Sequence, residues 1–231
     1  MLRKSLALTV DNITYDLEDS VTPSEKDRAR DSLREHLALH SSQAFPNIGE
    51  IAVRINAVST PHALTDLTQL ATVPMVDTIV VPKVNSASDL TFVTDALRHL
   101  APDRQAPSPS LPRPPLKILA LIESAKAITN LREICSASPH LAGLIFAAED
   151  FALDLSLTRT PSLTEFLYAR SAIVTAARAA ELESAIDLVT TIVKSDGGTW
   201  LREECENGRG LGFNGKRRFS LRPFSSFSSS G

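Results

Sequence analysis

The feature that most constrains this chain is the stretch 116–150, where two apolar runs of strand length, 117–122 and 141–147, flank a long amphipathic segment. Each run stops at a carboxylate: Glu123 after the first, Glu149 and Asp150 after the second. Strand, helix, strand is a βαβ unit, and a connection of this length lays the two strands parallel and adjacent. Glu123 and Asp150 then stand side by side at one edge of a sheet. Two carboxylates converging there repel unless a cation sits between them, and hard oxygen ligands suit Mg2+. The competing reading makes these acids ordinary capping and first-turn residues of the helices that follow. One strand end does not separate the two; the pattern along the rest of the chain does.

The 231 residues supply material for one α/β barrel or two small domains. A hydrophobic content of 43% and a charged content of 22% are those of an ordinary globular enzyme. The net charge of −3 leaves no footprint for nucleic acid or an anionic membrane, and 5% aromatic residues argue against base-stacking platforms. Cys135 and Cys205 make neither a disulfide framework nor a metal cluster, which points to a reducing compartment. No apolar run approaches the ~18 residues of a membrane span, and no targeting segment is visible. The expected location is therefore intracellular, cytoplasmic or mitochondrial.

Residues 1–10 read as the end of a helix, and 12–17 alternate as a strand closing on Asp16, Glu18 and Asp19. Thr22-Pro23-Ser24-Glu25 opens a helix running to about Leu39, with a Thr cap, proline at the first position and an acid in the first turn. Strand 51–55 carries Arg54 and finishes at Asn56, and a helix reaches Ala71. Strand 76–81 ends at Pro82-Lys83, before a helix over 86–100. The proline-dense stretch 101–115 excludes regular structure and, lying between helix and strand, falls as an insertion on the barrel face away from the chemistry. A helix over 124–138 joins the two strands of the opening paragraph. After Asp150 a loop leads to a helix over 162–181. Strand 185–189, helix 199–207 and a last strand 217–221 complete the alternation.

About seven strands alternating with helices indicate a parallel sheet. Runs such as TIVV, ILALI and LIF are nearly continuous in apolar residues, as strands covered on both faces are. Glu18 and Asp19, Arg54 and Asn56, Lys83, Glu123, Glu149 and Asp150 all fall at or just past the carboxyl ends of successive strands. Parallel strands bring those ends to one rim, where barrel enzymes carry their sites. Helix capping does not account for Arg54 or Lys83, because a cation at a helix N-terminus opposes the dipole. The expected fold is an α/β, TIM (β/α)8-type barrel, with a doubly wound open sheet as the alternative. GxGxxG and GxxxxGKS are absent, which removes the usual dinucleotide and P-loop cradles.

Seven motifs, YDLEDSVTPSEKDRAR (15–30), VRINA (53–57), VPKV (81–84), ALIES (120–124), AAEDFALDL (147–155), YARS (168–171) and AIDLV (185–189), follow one another in this order and spacing. Together they resemble the citrate lyase β-subunit-like branch of the HpcH/HpaI aldolase superfamily over about residues 1–216, leaving 217–231 as a divergent, Ser-rich, disordered tail. The resemblance implies a TIM barrel that binds Mg2+, or Mn2+, and cleaves or forms a C–C bond in a 3-hydroxyacyl-CoA thioester such as citryl-, malyl- or citramalyl-CoA. It implies a homo-oligomer, a trimer or hexamer. It also implies metal ligands at Glu123 and Asp150, with Glu123 at the substrate as well. Arg54 would hold the substrate carboxylate and carbonyl oxygen, Glu18 and Asp19 would sit near the water ligands of the metal, and Lys83 would share the rim.

The chain departs from the family pattern at three places. An LYVPG-like first strand would precede Met1. The glycine of GAED is Ala147, which adds a methyl group near the metal. Beyond Gly215-Lys216 the family's His-Pro strand and C-terminal helical lid, the source of an acid–base aspartate, have no counterpart. The barrel is therefore expected to be incomplete, without first strand and lid, as from a truncated or mis-joined gene. One rival reading is a non-catalytic remnant or scaffold; another is an aldolase acting on free 2-oxo acids, against which the DLEDSV and AAED contexts favour the thioester branch. Among other residues, Asp187 reads as a helix cap ahead of a rim residue and Arg170 as a salt-bridge partner. His36, His40, His62, His99 and His140 read as surface or structural, and Phe213 as either core or lining of a CoA entrance.

Overall fold

The computed structural model describes residues 5, 8–39, 47–106, 114–191 and 199–218. Seven parallel strands stand in the order of the chain: β1 (Val10–Asp16), β2 (Ile48–Arg54), β3 (Thr78–Val81), β4 (Lys117–Ile122), β5 (Leu141–Phe146), β6 (Ser184–Thr190) and β7 (Gly215–Arg218). Crossovers between parallel neighbours are right-handed as a rule, so an unbroken order carries its helices on one face. A doubly wound sheet reverses its order partway, so that alternative falls and an incomplete TIM-type barrel remains.

Side-chain parity divides the two faces of the sheet. Ile51, Val53, Ile79, Val81, Ile118, Ala120, Ile122, Leu144 and Phe146 point outward into one large core with helix residues such as Leu33, Leu67, Leu90, Ile134 and Ile173. Ala52, Val80, Leu119, Leu121 and Ile145 form a separate cluster on the inner face, joined by Ala142, Ala147 and Ile186. Continuing each inward series past its strand leads from Ala52 to Arg54 and from Leu121 to Glu123. The fold thus aims these two side chains into the lumen at its carboxyl rim.

The helices are α1 (Lys26–Ala38), α2 (His62–Leu70), α3 (Ala87–Leu100), α4 (Ala125–Thr129), α5 (Leu131–Ser136), α6 (Ala148–Asp154), α7 (Leu167–Ala179) and α8 (Thr199–Gly210). Several differ from the sequence expectation. Proline does open the first, as a 3-10 turn over Pro23–Glu25, but Thr22 makes no side-chain cap hydrogen bond. The single helix expected over 124–138 breaks at Asn130, whose Nδ2 donates across to the Asn85 carbonyl at 2.8 Å. The loop expected after Asp150 begins only past Asp154, where α6 ends, and it contains Arg159, Thr160 and Pro161 as expected. Strand β7 begins at Gly215, two residues before the expected start, and 219–221 lie outside the described residues. Val10, expected in a helix, already belongs to β1.

The proline-dense stretch is not wholly irregular. Pro102–Arg104 forms a 3-10 turn, and the buried Arg104 donates from Nη1 to the Val76 carbonyl at 2.6 Å. The Leu116 N–H donates to the Arg104 carbonyl at 3.1 Å, so both flanks meet at the amino end of β4, opposite the rim. Residues 107–113, His40 and the Ser-rich tail lie outside the described residues.

Candidate active site

The β1–β2 register pairs Asp16 with Arg54, so both point inward at the same height. Arg54 donates from Nε to Asp16 Oδ1 and from Nη2 to Asp16 Oδ2, both at 2.7 Å. Its Nη1 donates to Asp19 Oδ2 at 3.3 Å and lies 3.1 Å from Glu18 Oε2. Burial alone would raise the Asp16 pKa, but the Arg54 fork, helped by Ser20 and the Glu18 N–H, outweighs it and holds the carboxyl at about 2. Arg54 is 7% exposed, and its carboxylate neighbours raise its pKa against burial. A guanidinium has five N–H donors in a fixed plane, so this fork orients the group and leaves the outer N–H of Nη2 for a ligand. The reading of the sequence assigned Asp16 no role; its position at the end of a strand was the only available signal.

Lys83 follows β3 with φ at +54°. That left-handed turn, costly for a side-chain-bearing residue by about 1–3 kcal/mol, brings both its nitrogens to bear on the rim. Nζ donates to Glu18 Oε1 at 2.6 Å, and the backbone N–H hydrogen-bonds the Glu123 carboxylate. The Glu18 hydrogen bond raises the Lys83 pKa. Glu18 is buried, and burial raises its own pKa, with Lys83 opposing and Asp19 adding. Lys26 Nζ closes the turn below by donating to the Leu17 and Glu18 carbonyls at 2.7 and 2.6 Å. Glu18, Asp19, Lys26, Asn56, Thr60 and Lys83 line a cleft of about 400 Å3 beside the lumen.

Glu123 is not a helix cap. Ser124 does that work, its Oγ accepting the Ala127 N–H at 3.0 Å. Asp150 lies in the first turn of α6, whose start carries no side-chain cap hydrogen bond. Glu123 is 5% exposed, and its Oε1 is without a hydrogen-bond partner. Burial raises its pKa to about 7, and the charges of Asp150 and Glu18 add to the shift. Asp150 is thus near enough for its charge to act on Glu123. Among the described residues no three His, Cys, Asp or Glu side chains converge as a ligand set. A buried, unpartnered carboxylate oxygen next to a second carboxylate fits a hard divalent ion that keeps most of its positions for water and ligand oxygens.

An expected rim residue, Asn56, and an expected cap, Asp187, serve the frame instead. Asn56 donates from N and Nδ2 to Asp66 Oδ2, both at 2.7 Å, and Arg30 Nη1 reaches Asp66 Oδ1 at 2.8 Å. This buried triad ties α1 and α2 to the end of β2. Asp187 is no cap: it sits inside β6, fully buried, and Arg170 of α7 forks it from Nε at 3.0 Å and Nη2 at 2.7 Å. Arg170 is thus the salt-bridge partner expected, and it rests 5.7 Å above the ring of the buried Phe213, which is core. Arg217, which the sequence reading placed in the divergent tail, belongs to β7.

A model of the HpcH/HpaI aldolase/citrate lyase family matches residues 1–220. The citrate lyase subunit beta of Leuconostoc mesenteroides subsp. cremoris is 33% identical over 221 residues, covering 94% of this chain and 67% of that protein. The citrate lyase subunit beta of Haemophilus influenzae is 36% identical over 220 residues, covering 94% and 70%. Among solved structures, the citrate lyase beta subunit of M. tuberculosis complexed with oxaloacetate and magnesium matches with a TM-score of 0.70 at 27% identity, covering 94% of this chain and 85% of that one. Protein CitE from Mycobacterium tuberculosis in complex with magnesium, acetoacetate and coenzyme A gives 0.69 at 26% identity, covering 91% and 68%.

Proposed function

Because the chain belongs to the HpcH/HpaI aldolase/citrate lyase family, we propose that it cleaves a 3-hydroxyacyl-CoA thioester of the citryl-, malyl- or citramalyl-CoA kind in a Mg2+-dependent retro-aldol step. The chain is a lyase of the citrate lyase beta type; the thioester and the residue roles are the proposal. The observation that carries it is the buried Glu123 carboxylate, one oxygen unpartnered and under the charge of Asp150, on the rim that also holds Arg54.

Glu123 and Asp150 hold the ion in this reading. When bound, Mg2+ supplies Lewis-acid polarisation of the oxo-acid carbonyl. Arg54 would bind the carboxylate and the neighbouring oxygen of that fragment and stabilise the alkoxide left there once the hydroxyl proton is removed; as the C–C bond breaks that oxygen becomes the carbonyl and the electron pair passes to the thioester as its enolate. The Asp16 fork holds the guanidinium in place beforehand, so the step needs no reorganisation of that group. Glu18 and Asp19 orient the water around the ion, and Lys83 keeps the Glu18 carboxylate directed at the rim.

Incubating the chain with Mg2+ and each of the three thioesters, and separately with a CoA-free 4-hydroxy-2-oxo acid, tests the proposal. Release of an oxo acid and acetyl-CoA from a thioester is the expected result. Cleavage of the CoA-free compound alone would make the chain an aldolase on free 2-oxo acids. In parallel, Glu123→Ala abolishes Mn2+ binding and turnover together, while Arg54→Ala loses turnover and keeps the metal. No Mn2+ binding by the unaltered chain at millimolar concentration would identify a non-catalytic remnant.

A further inference from the structure

The two carboxylates proposed to hold the ion stand on different elements, so their separation must be fixed from outside them. The sheet does part of this. Strands β4 and β5 pair up to Ile122 and Phe146, and the Ala147 N–H donates to the Ile122 carbonyl at 3.1 Å. There the ladder ends. Glu123 leads into α4, while Asp150 rides on the first turn of α6. Past the ladder the two segments are joined again at the surface. Asp154 Oδ2, at the last position of α6, accepts the N–H of Ala125, the first residue of α4, at 2.8 Å. Donor and acceptor lie 29 residues apart in the chain. Asp154 stands four residues after Asp150, one helical turn along the same face, and Ala125 stands two after Glu123. One hydrogen bond therefore ties the two carboxylate-bearing segments directly to each other.

Local preference does not account for an acid at this position. The last turn of a helix favours cations, and α6 carries none there. The Ala125 N–H is one of the donors that the start of a helix leaves without an intrahelical acceptor. Ser124 Oγ takes the Ala127 N–H at 3.0 Å, so Ser124 and Asp154 share the start of α4 between them. Other supports of α6 act elsewhere. Phe151 packs edge-on against Phe146 and Phe166, with ring centroids 5.4 and 6.3 Å away, and Arg159 Nη1 donates to Glu149 Oε1. Neither of these contacts involves α4.

We propose that Asp154 is a positioning residue: its hydrogen bond to the Ala125 N–H sets the spacing of Glu123 and Asp150, and with it the size of divalent ion the pair accepts. The inference rests on the lyase reading and adds to it a residue that touches neither ion nor substrate. Mg2+ demands near-ideal octahedral geometry at short distances, whereas Ca2+ takes longer bonds in flexible arrangements. A loosened pair of carboxylates therefore loses Mg2+ before Ca2+. The test titrates the full chain with Mn2+ by electron paramagnetic resonance and then displaces it with Mg2+ or with Ca2+. Asp154→Ala weakens Mg2+ binding about 10-fold, the scale on which an outer partner of a metal ligand acts, and leaves Ca2+ within about twofold. Asp154→Asn keeps a carbonyl oxygen for the Ala125 N–H and drops the charge, so it retains most of the Mg2+ affinity. Equal weakening of Mg2+ in the two variants overturns the proposal, because the charge and not the bond then matters. An equal loss of both ions in Asp154→Ala, or no loss, overturns it too. Nuclear Overhauser contacts between the Ala125 amide proton and the β-protons of residue 154 are recorded without metal. They persist in Asp154→Asn and weaken in Asp154→Ala; unchanged contacts in Asp154→Ala also overturn the proposal. Failure of the unaltered chain to take Mn2+ refutes the lyase reading instead, and the metal-free contacts still decide whether Asp154 sets the spacing.

Discussion

Glu123 illustrates a cost that a proton or a bound cation offsets. An ionised carboxylate buried with one oxygen unpartnered destabilises the fold that holds it. Glu123→Gln is therefore expected to unfold at a higher temperature than the unaltered chain without metal, by a few degrees for about 1 kcal/mol, while losing Mn2+ binding. Calorimetry at pH 8 with and without Mn2+ checks both signs, and a lower melting temperature would mean that the carboxylate is structurally satisfied. Asp16 runs the other way. Its folded pKa of about 2 lies below the ordinary 3.8, so its contribution is complete above pH 4 and disappears as pH falls toward 2. That contribution is about 2 kcal/mol. Urea unfolding of Asp16→Asn between pH 2 and pH 7 is expected to lose this segment of the pH dependence; a curve parallel to the unaltered one would uncouple Asp16 from Arg54. The positions of Glu123, Asp150, Arg54, Glu18 and Lys83 were legible from strand ends and alternation. Their partners were not, because Asp16 and Arg54 meet across 38 residues through a strand register that no local pattern specifies.

Elements carry strain and support that residue patterns did not reveal. Periodicity over 124–138 is continuous, yet Asn130 ends one helix and starts another because it bonds sideways to the turn before α3. α6 was missed because seven residues give too short a window for a helical period. Strands β5 and β6 approach so closely that a Cβ at Gly143 would lie 2.6 Å from the Ser184 carbonyl oxygen. Gly143→Ala is expected to cost about 1–3 kcal/mol, read as a lower urea midpoint with an unchanged slope. On the outer side of β6, Asp187→Ala leaves Arg170 buried without its fork. The expected loss is about 3–5 kcal/mol, with Asp187→Asn milder because one acceptor remains. Equal stability of the two variants would show that the pair contributes shape rather than charge.

At the level of the molecule, the unbroken strand order does the organising. It puts every helix outside, reserves the inner face for a few small and branched side chains, and delivers each strand's final residue to one rim. That much followed from the alternation of elements and from where the charged residues stood, whereas the placing of Lys216 against Asp187 and Glu204 depended on a strand pairing that the sequence pattern does not specify. The same order has a consequence for the crossover at residues 106–114, whose flanks meet at the far end of β4. Arg54 and Lys83 are encoded before it; Glu123 and Asp150, the two carboxylates proposed to hold the metal, are encoded after it. The polypeptide thus divides its chemistry near its midpoint. A cut there would leave two peptides, each with half a reaction, reunited only by the seam between β3 and β4.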